Sequence, residues 1–320
     1  MLLQDEYLIS GITLSLILMS AILQQPYTLS SAQLAAFERD GYLVLHNLLD
    51  EEATLQLQSW VQEVHDWPFA LGKWMPYEEQ LENGMRVLCR TENFADFHDG
   101  LNMLFRGKRL VHILEQINNE PMFLFKEKIN YKHPGAGGFD AHIDAPAYQH
   151  AGVLKHLTIN MAVDAATLEN GCLEVVPGSH KQSVPIDENN CIKKIWEDAQ
   201  TWIPVILEPG DTLVFGSFLA HRSSANHTSQ RRAAIYATFN ALSDGGDRHS
   251  AYYAKRREEW PPTLERTEGK DYSMGARLYG FGSPMWGATE HSRMQTARLG
   301  TVGASFNSSE NNINIHNEWS

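Results

Sequence analysis

The residues of this chain best suited to chemistry are His142 and Asp144, one residue apart in Phe139-Asp140-Ala141-His142-Ile143-Asp144. On an extended strand side chains alternate between faces, so His142 and Asp144 point one way and Ile143 the other. An imidazole beside a carboxylate is two-thirds of a facial ligand set for iron(II), which leaves positions open for a co-substrate and O2. His221 is the natural third ligand, because EPGDTLVFGSFLAH starts a strand at a Pro-Gly-Asp turn and delivers the histidine at its far end. Arg232 follows 11 residues later in RRAAIYATF. A guanidinium there suits the end-on clamping of a dicarboxylate through paired hydrogen bonds, which a lysine does less well.

Each residue also has a plainer reading. A lone H-x-D is most often a surface pair, His221 alone an ordinary loop histidine, and Arg231 and Arg232 solvated charges guarding a sheet edge. The order of the pieces argues for the site: a strand-borne H-x-D, an intervening β region, a strand ending in histidine, then arginine on the next strand. Zinc also accepts two histidines and a carboxylate, so a zinc hydrolase is a rival reading.

The elements that would position these residues follow from periodicity. Ser30 or Ser31 caps a helix running to Asp40, with Leu34 and Phe37 on one face and Gly41 as a stop. Tyr42 to Leu45 reads as a short strand. Leu57, Trp60, Val61 and Val64 fall at helical spacing within 51–65, and a further helix covers 108–117. From about 122 the chain turns to short β-like runs broken by Gly and Pro, without alternating helices, which points to an antiparallel sandwich or barrel. No dinucleotide, P-loop or nucleophile-elbow motif is present.

Composition sets the outer bounds. The chain has 320 residues, 43% hydrophobic and 20% charged, as expected of a globular protein. Its net charge of -13 disfavours a nucleic-acid partner. Three cysteines (Cys89, Cys172, Cys191) in no paired spacing argue against a disulfide framework or structural zinc and fit a cytoplasmic location. Fourteen histidines are many for this length. Residues 1–26 form an apolar N-terminal extension whose run at 8–23 follows Asp5 and Glu6 rather than basic residues. A helix packed on the domain is the favoured reading, over a weak membrane anchor or a misplaced gene start. One domain spans 27–290, and 291–320 is a polar tail expected to be disordered.

Between 27 and 280 the chain resembles the phytanoyl-CoA dioxygenase family of Fe(II)/2-oxoglutarate-dependent dioxygenases. TLSSAQLAAFERDGYLVLHNLLDEE is similar to that family's N-terminal signature, ENGCLEVVPGSHK to its internal motif, and EPGDTLVFGSFLAHRSSAN to its second metal-ligand strand. The resemblance implies a mostly β fold with flanking helices around a double-stranded β-helix (jelly-roll, cupin-like) core. It implies His142, Asp144 and His221 as iron ligands and Arg232, rather than Arg231, on the distal carboxylate of 2-oxoglutarate. Asn130, Thr158 and Phe139 match positions near the same co-substrate. The family's usual Gln between the first His and Asp is Ile143 here.

The implied reaction hydroxylates an unactivated C–H of a small molecule with O2, converting 2-oxoglutarate to succinate and CO2. KEKINYKHPGAGGF, HIDAPAY and YYAKRREEWPPTLERTEGKDY look more like the 2-aminoethylphosphonate-dioxygenase-like branch than the acyl-CoA branch. The expected substrate is thus a small zwitterion such as an aminophosphonate, or a secondary-metabolite intermediate. Lys126 or Lys128 would meet a phosphonate, with one of the two expected to face solvent, while Tyr148, Trp67 and Trp74 are candidate walls for a larger scaffold. The alternative is a non-catalytic 2-oxoglutarate- and metal-binding module of the same fold.

Overall fold

The computed structural model describes residues 19–151 and 156–287. Its N-terminal half builds helices on one face of a sheet. Helix α1 (Ser31–Asp40) starts at Ser30, whose hydroxyl accepts the Gln33 N–H in a capping box, and stops at left-handed Gly41. Strand β1 (Tyr42–Leu45) follows, then α2 (Glu51–Asp66), which buries Leu57, Trp60, Val61 and Val64. Two elements then appear that carry no periodic signal in the sequence, the hairpin β2 (Met75–Gln80) and β3 (Arg86–Glu92). Helices α3 (Asp99–Arg106) and α4 (Lys108–Asn118) complete this half.

The second half supplies β4 (Met122–Lys132), β5 (Phe139–His142), β6 (Leu157–Ala162), β7 (Leu173–Val175), a short helix α5 (Lys194–Glu197), β8 (Ile203–Val205), β9 (Thr212–Gly216), β10 (His221–Ser223) and β11 (Arg232–Ala241). Helices α6 (His249–Glu259) and α7 (Ser273–Tyr279) follow. Among the described residues the strands form a 7-stranded sheet, ordered β1-β9-β6-β11-β4-β3-β2, and a 4-stranded sheet, ordered β5-β10-β7-β8. All the pairings are antiparallel. The two sheets make the jelly-roll core.

Alternation along the strands decides what each face meets. On β4, Ile129 and Tyr131 join the large core shared with Trp60, Val61 and Val64 of α2. Lys128, Asn130 and Lys132 therefore point to the other side, between the sheets. A second cluster, with Leu173, Val175, Leu213 and Phe215, seals one end of that space.

Residues 19–24, on the extension side of the expected boundary at 27, are helical, and Met19 and Leu23 are buried in the large core. The remainder of the 8–23 run and the tail lie outside the described residues. No described helix is long and apolar enough to cross a membrane.

Candidate functional site

Between the sheets, β5 and β10 pair in a register that sets His142 opposite His221. The sequence had placed His221 at the end of the Pro-Gly-Asp strand; it instead opens β10, because β9 ends at Gly216 and the chain turns into the smaller sheet. Asp144 likewise lies just beyond β5, which stops at His142. Ile143 still points away, into a small apolar cluster with Ala141, Val176, Ile192 and Ala220.

The imidazoles are held for ligation. Nδ1 of His142 donates to the Asp140 carbonyl (2.6 Å) and Nδ1 of His221 to the Leu219 carbonyl (2.9 Å). A nitrogen that donates to a carbonyl carries the proton, so each Nε2 keeps its lone pair. Those Nε2 atoms lie 3.8 and 3.9 Å from Oδ1 of Asp144, near enough for the three donors to converge on one ion with small side-chain movements. Burial, then the neighbouring His221, pushes the His142 imidazole down to about 3, so it is neutral near pH 7. Burial would raise the Asp144 carboxyl, but its neighbours His221, Lys126, Lys128 and His142 outweigh it and hold it well below the usual carboxylate range. Two neutral imidazoles and a carboxylate, with their ligand atoms within 4.8 Å of one another, fit a divalent metal.

Two cavities adjoin, and Arg90 and Phe139 line both. The one at the metal set has a volume of about 450 Å³, and Lys126, Lys128, Tyr252 and Arg256 also line it. The expectation that one of the two lysines faces solvent is not met, since both lie on this wall. Burial, followed by the charges of Arg90 and Lys126, pushes the Lys128 amine well below the ordinary lysine value; Lys126 is lowered less, Asp144 opposing its burial. Arg90, Glu92 and Arg256 interlock: Arg90 donates to Glu92 at 3.2 Å, and Arg256 donates to both Glu92 oxygens at 3.2 and 3.3 Å. Burial would raise the Glu92 carboxyl, but Arg256 and Arg90 take it down to about 2.

The second cavity, about 370 Å³, is lined by Arg232, Asn130, Phe139, Tyr236 and Lys132 among others. One Arg232 nitrogen donates to the Gly171 carbonyl at 2.9 Å, while its buried Nε has no partner among the described residues. An orphaned guanidinium N–H in a cavity fits an incoming carboxylate, because leaving it unpaired is costly. Arg231 instead faces outward and donates to Gln62. Lys132 also hangs on Gly171 (3.2 Å), with further bonds to the Ser223 hydroxyl and Ser224 carbonyl; burial, then Arg232, pushes its amine down to about 7.

The remaining candidates lie elsewhere. Thr158 is buried against the Thr238 hydroxyl at 3.0 Å and lines neither cavity. Tyr148 sits with its ring 4.7 Å from the Lys126 ammonium, supporting that lysine rather than lining the cavity. Trp67 and Trp74 pack on each other at 4.4 Å against the large core, so they wall no substrate space. Sequence reasoning missed Arg90, Glu92, Arg256, Tyr252 and Phe281. Each is an ordinary residue type without a spacing signal, and only the fold assembles them.

The phytanoyl-CoA dioxygenase (PhyH) family model matches residues 37–234. The chain is 37% identical over 255 residues to 2-aminoethylphosphonate dioxygenase of Uncultured bacterium HF130_AEPn_1, covering 79% of this chain and 97% of that protein. It is 42% identical over 231 residues to methylphosphonate hydroxylase of Gimesia maris, covering 72% of this chain and 88% of that protein. The solved structure of EctD from S. alaskensis with 2-oxoglutarate and 5-hydroxyectoine superposes with a TM-score of 0.61 at 20% identity, over 71% of this chain and 82% of that one.

Proposed function

The chain belongs to the phytanoyl-CoA dioxygenase family of iron(II)/2-oxoglutarate-dependent dioxygenases, and we propose that its substrate is a small organophosphonate. Like its family it uses iron(II), 2-oxoglutarate and O2 to hydroxylate a small molecule. In this reading His142, Asp144 and His221 hold the iron, and Arg232 takes the distal carboxylate of 2-oxoglutarate beside Asn130 and Phe139. When bound, the iron with its co-substrate supplies the oxidising chemistry that ends in succinate, CO2 and an alcohol. The chain's own residues orient the reactants and keep water away from them.

The observation that carries the phosphonate reading is the pair Lys126 and Lys128 on the cavity wall beside the metal set, with Arg90 next to them. Among the described residues neither lysine forms an ion pair with a carboxylate. Each instead lies near an aromatic ring, 4.7 Å from Tyr148 and 5.1 Å from Tyr236 respectively. A phosphonate group would give both ammoniums the counter-charge that burial demands. The two relatives named for phosphonates support the same class. We take residues 27–290 as the catalytic domain, with the helical residues 19–24 packed into its core, and the cytoplasm as its location, which the free cysteines Cys89, Cys172 and Cys191 support.

The test is succinate release by the iron-loaded chain with methylphosphonate or 2-aminoethylphosphonate, with the product followed by phosphorus NMR. We expect succinate and hydroxylated phosphonate in equal amounts. A charge-transfer band with iron(II) and 2-oxoglutarate, but no succinate with either phosphonate, would overturn this substrate class.

A further inference from the structure

The family match ends at residue 234, yet one wall of the substrate cavity comes from beyond it, through Tyr252, Arg256, Tyr279, Phe281 and Ser283. Pro284 and Met285 then close part of the second cavity. Residues 280–286 cross the site as a strap fastened on both sides. The Asp140 N–H donates to the Gly282 carbonyl at 2.8 Å, and the Trp286 N–H to the Glu78 carbonyl at 2.7 Å. Met285 bridges antiparallel to Glu79. Within the strap, the Ser283 hydroxyl donates to the Gly280 carbonyl at 2.8 Å. Gly282 turns the chain at φ +65, a conformation that glycine adopts without steric cost.

Phe281 lies where this strap meets the metal set. Its ring stands edge-on to His142, with centroids 5.5 Å apart and planes at 84°. With Phe139, Tyr252 and Tyr279 it is one of the aromatic groups lining a cavity that also carries Arg90, Lys126, Lys128 and Arg256, and its ring is the one on the strap that packs on His142. A reacting carbon held at the metal set lies near His142, and a chain extending from it toward the strap meets the ring packed on His142. The strap is tied to β5 at Asp140 and to β2 at Glu78 and Glu79, so the ring has little room to retreat.

We infer that Phe281 sets the length of substrate the cavity accepts, acting as an end wall that admits a short alkyl group and turns away longer ones. The head-group chemistry of this inference rests on the phosphonate reading, while the wall itself does not.

The experiment is anaerobic calorimetry on the full chain loaded with iron(II) and 2-oxoglutarate, titrated with methyl-, ethyl-, propyl- and butylphosphonate. For the parent we expect affinity to drop about tenfold or more once the alkyl group reaches the ring, the usual worth of one misfitted methylene. Phe281→Ala should raise the butyl-to-methyl affinity ratio at least about tenfold, with Phe281→Leu between the two. Retention of the iron–2-oxoglutarate charge-transfer band confirms that each variant is folded and loaded. A parent that binds butylphosphonate as well as methylphosphonate, or a Phe281→Ala variant with an unchanged ratio, overturns the inference. Alkyl carboxylates and sulfonates form a second series. If only these bind, and Phe281→Ala removes a length limit, the wall stands and the phosphonate reading falls. If no series binds the parent, both fall.

Discussion

Each imidazole of the proposed metal set is tethered through Nδ1 to a carbonyl two residues back in its own chain, so its free lone pair is aimed before any ion arrives. The carboxylate completes the facial set that His142 and His221 begin and supplies its negative charge. Asp144→Ala should therefore abolish the charge-transfer band with iron(II) and 2-oxoglutarate, read by anaerobic absorbance titration. At the co-substrate end, Arg232→Lys gives up the paired hydrogen bonds of a guanidinium. Its KM for 2-oxoglutarate should rise about 10- to 100-fold, the worth of a charge-assisted bond, while the outward Arg231→Lys should leave it unchanged. The H-x-D spacing was legible in the sequence because alternate residues of a strand share a face, whereas the choice of Arg232 over Arg231 came from the resemblance to the family. Glu92 and Arg256 were not, since the two partners of that ion pair are 164 positions apart, Glu92 belongs to no motif, and the segment YYAKRREEWPPTLERTEGKDY does not by itself single out Arg256.

Among the elements, α6 brings Tyr252 and Arg256 to the cavity, and it is fastened to β4 by His249. That histidine is 1% exposed, with Nε2 2.7 Å from the fully buried Glu127 carboxylate and Nδ1 3.4 Å from Asp96. Burial would lower its pKa, but the hydrogen bond to Glu127 and the charges of Glu127 and Asp96 raise it above the ordinary value. A raised histidine contributes stability that is complete below its unfolded pKa of about 6.5 and is lost as pH climbs through the folded value. The Tm gap between the parent and His249→Gln should accordingly be wider at pH 6 than at pH 9. Gly171 ties two other elements together, its carbonyl accepting from both Arg232 and Lys132. Its φ is +74, and a Cβ there would lie 2.2 Å from the Ser224 carbonyl oxygen. Gly171→Ala should lower Tm and raise the KM for 2-oxoglutarate together, the second because Arg232 loses its stay. The helices read from spacing match the structure closely because amphipathic periodicity is a local signal. The hairpin of β2 and β3 escaped because MPYEEQ and RVLCRTE mix charges into their inward positions, and those charges are there for the site.

At the scale of the whole molecule, an acidic chain encloses a cavity where Arg90, Lys126, Lys128 and Arg256 outnumber Glu92 and Asp144. Composition alone argued only against polyanionic macromolecules and said nothing of a small anion, whose site occupies a minute part of the surface. The large core that backs the site reaches to Leu23, which is fully buried. Leu23→Ala should cost about 2–5 kcal/mol of stability by chemical denaturation, with both KM values unaltered, because the core lies on the far face of the sheet. The register that sets His142 against His221 has a consequence for folding as well. Those two side chains are about 80 positions apart in sequence, and an ion gripping both would act as a cross-link that closes a long loop. Metal uptake and zipping of β5 onto β10 then become one event, so the amides of the smaller sheet should exchange with solvent far more slowly in the iron-loaded protein, while those of the larger sheet, whose strands the ion does not join, keep the protection they already have.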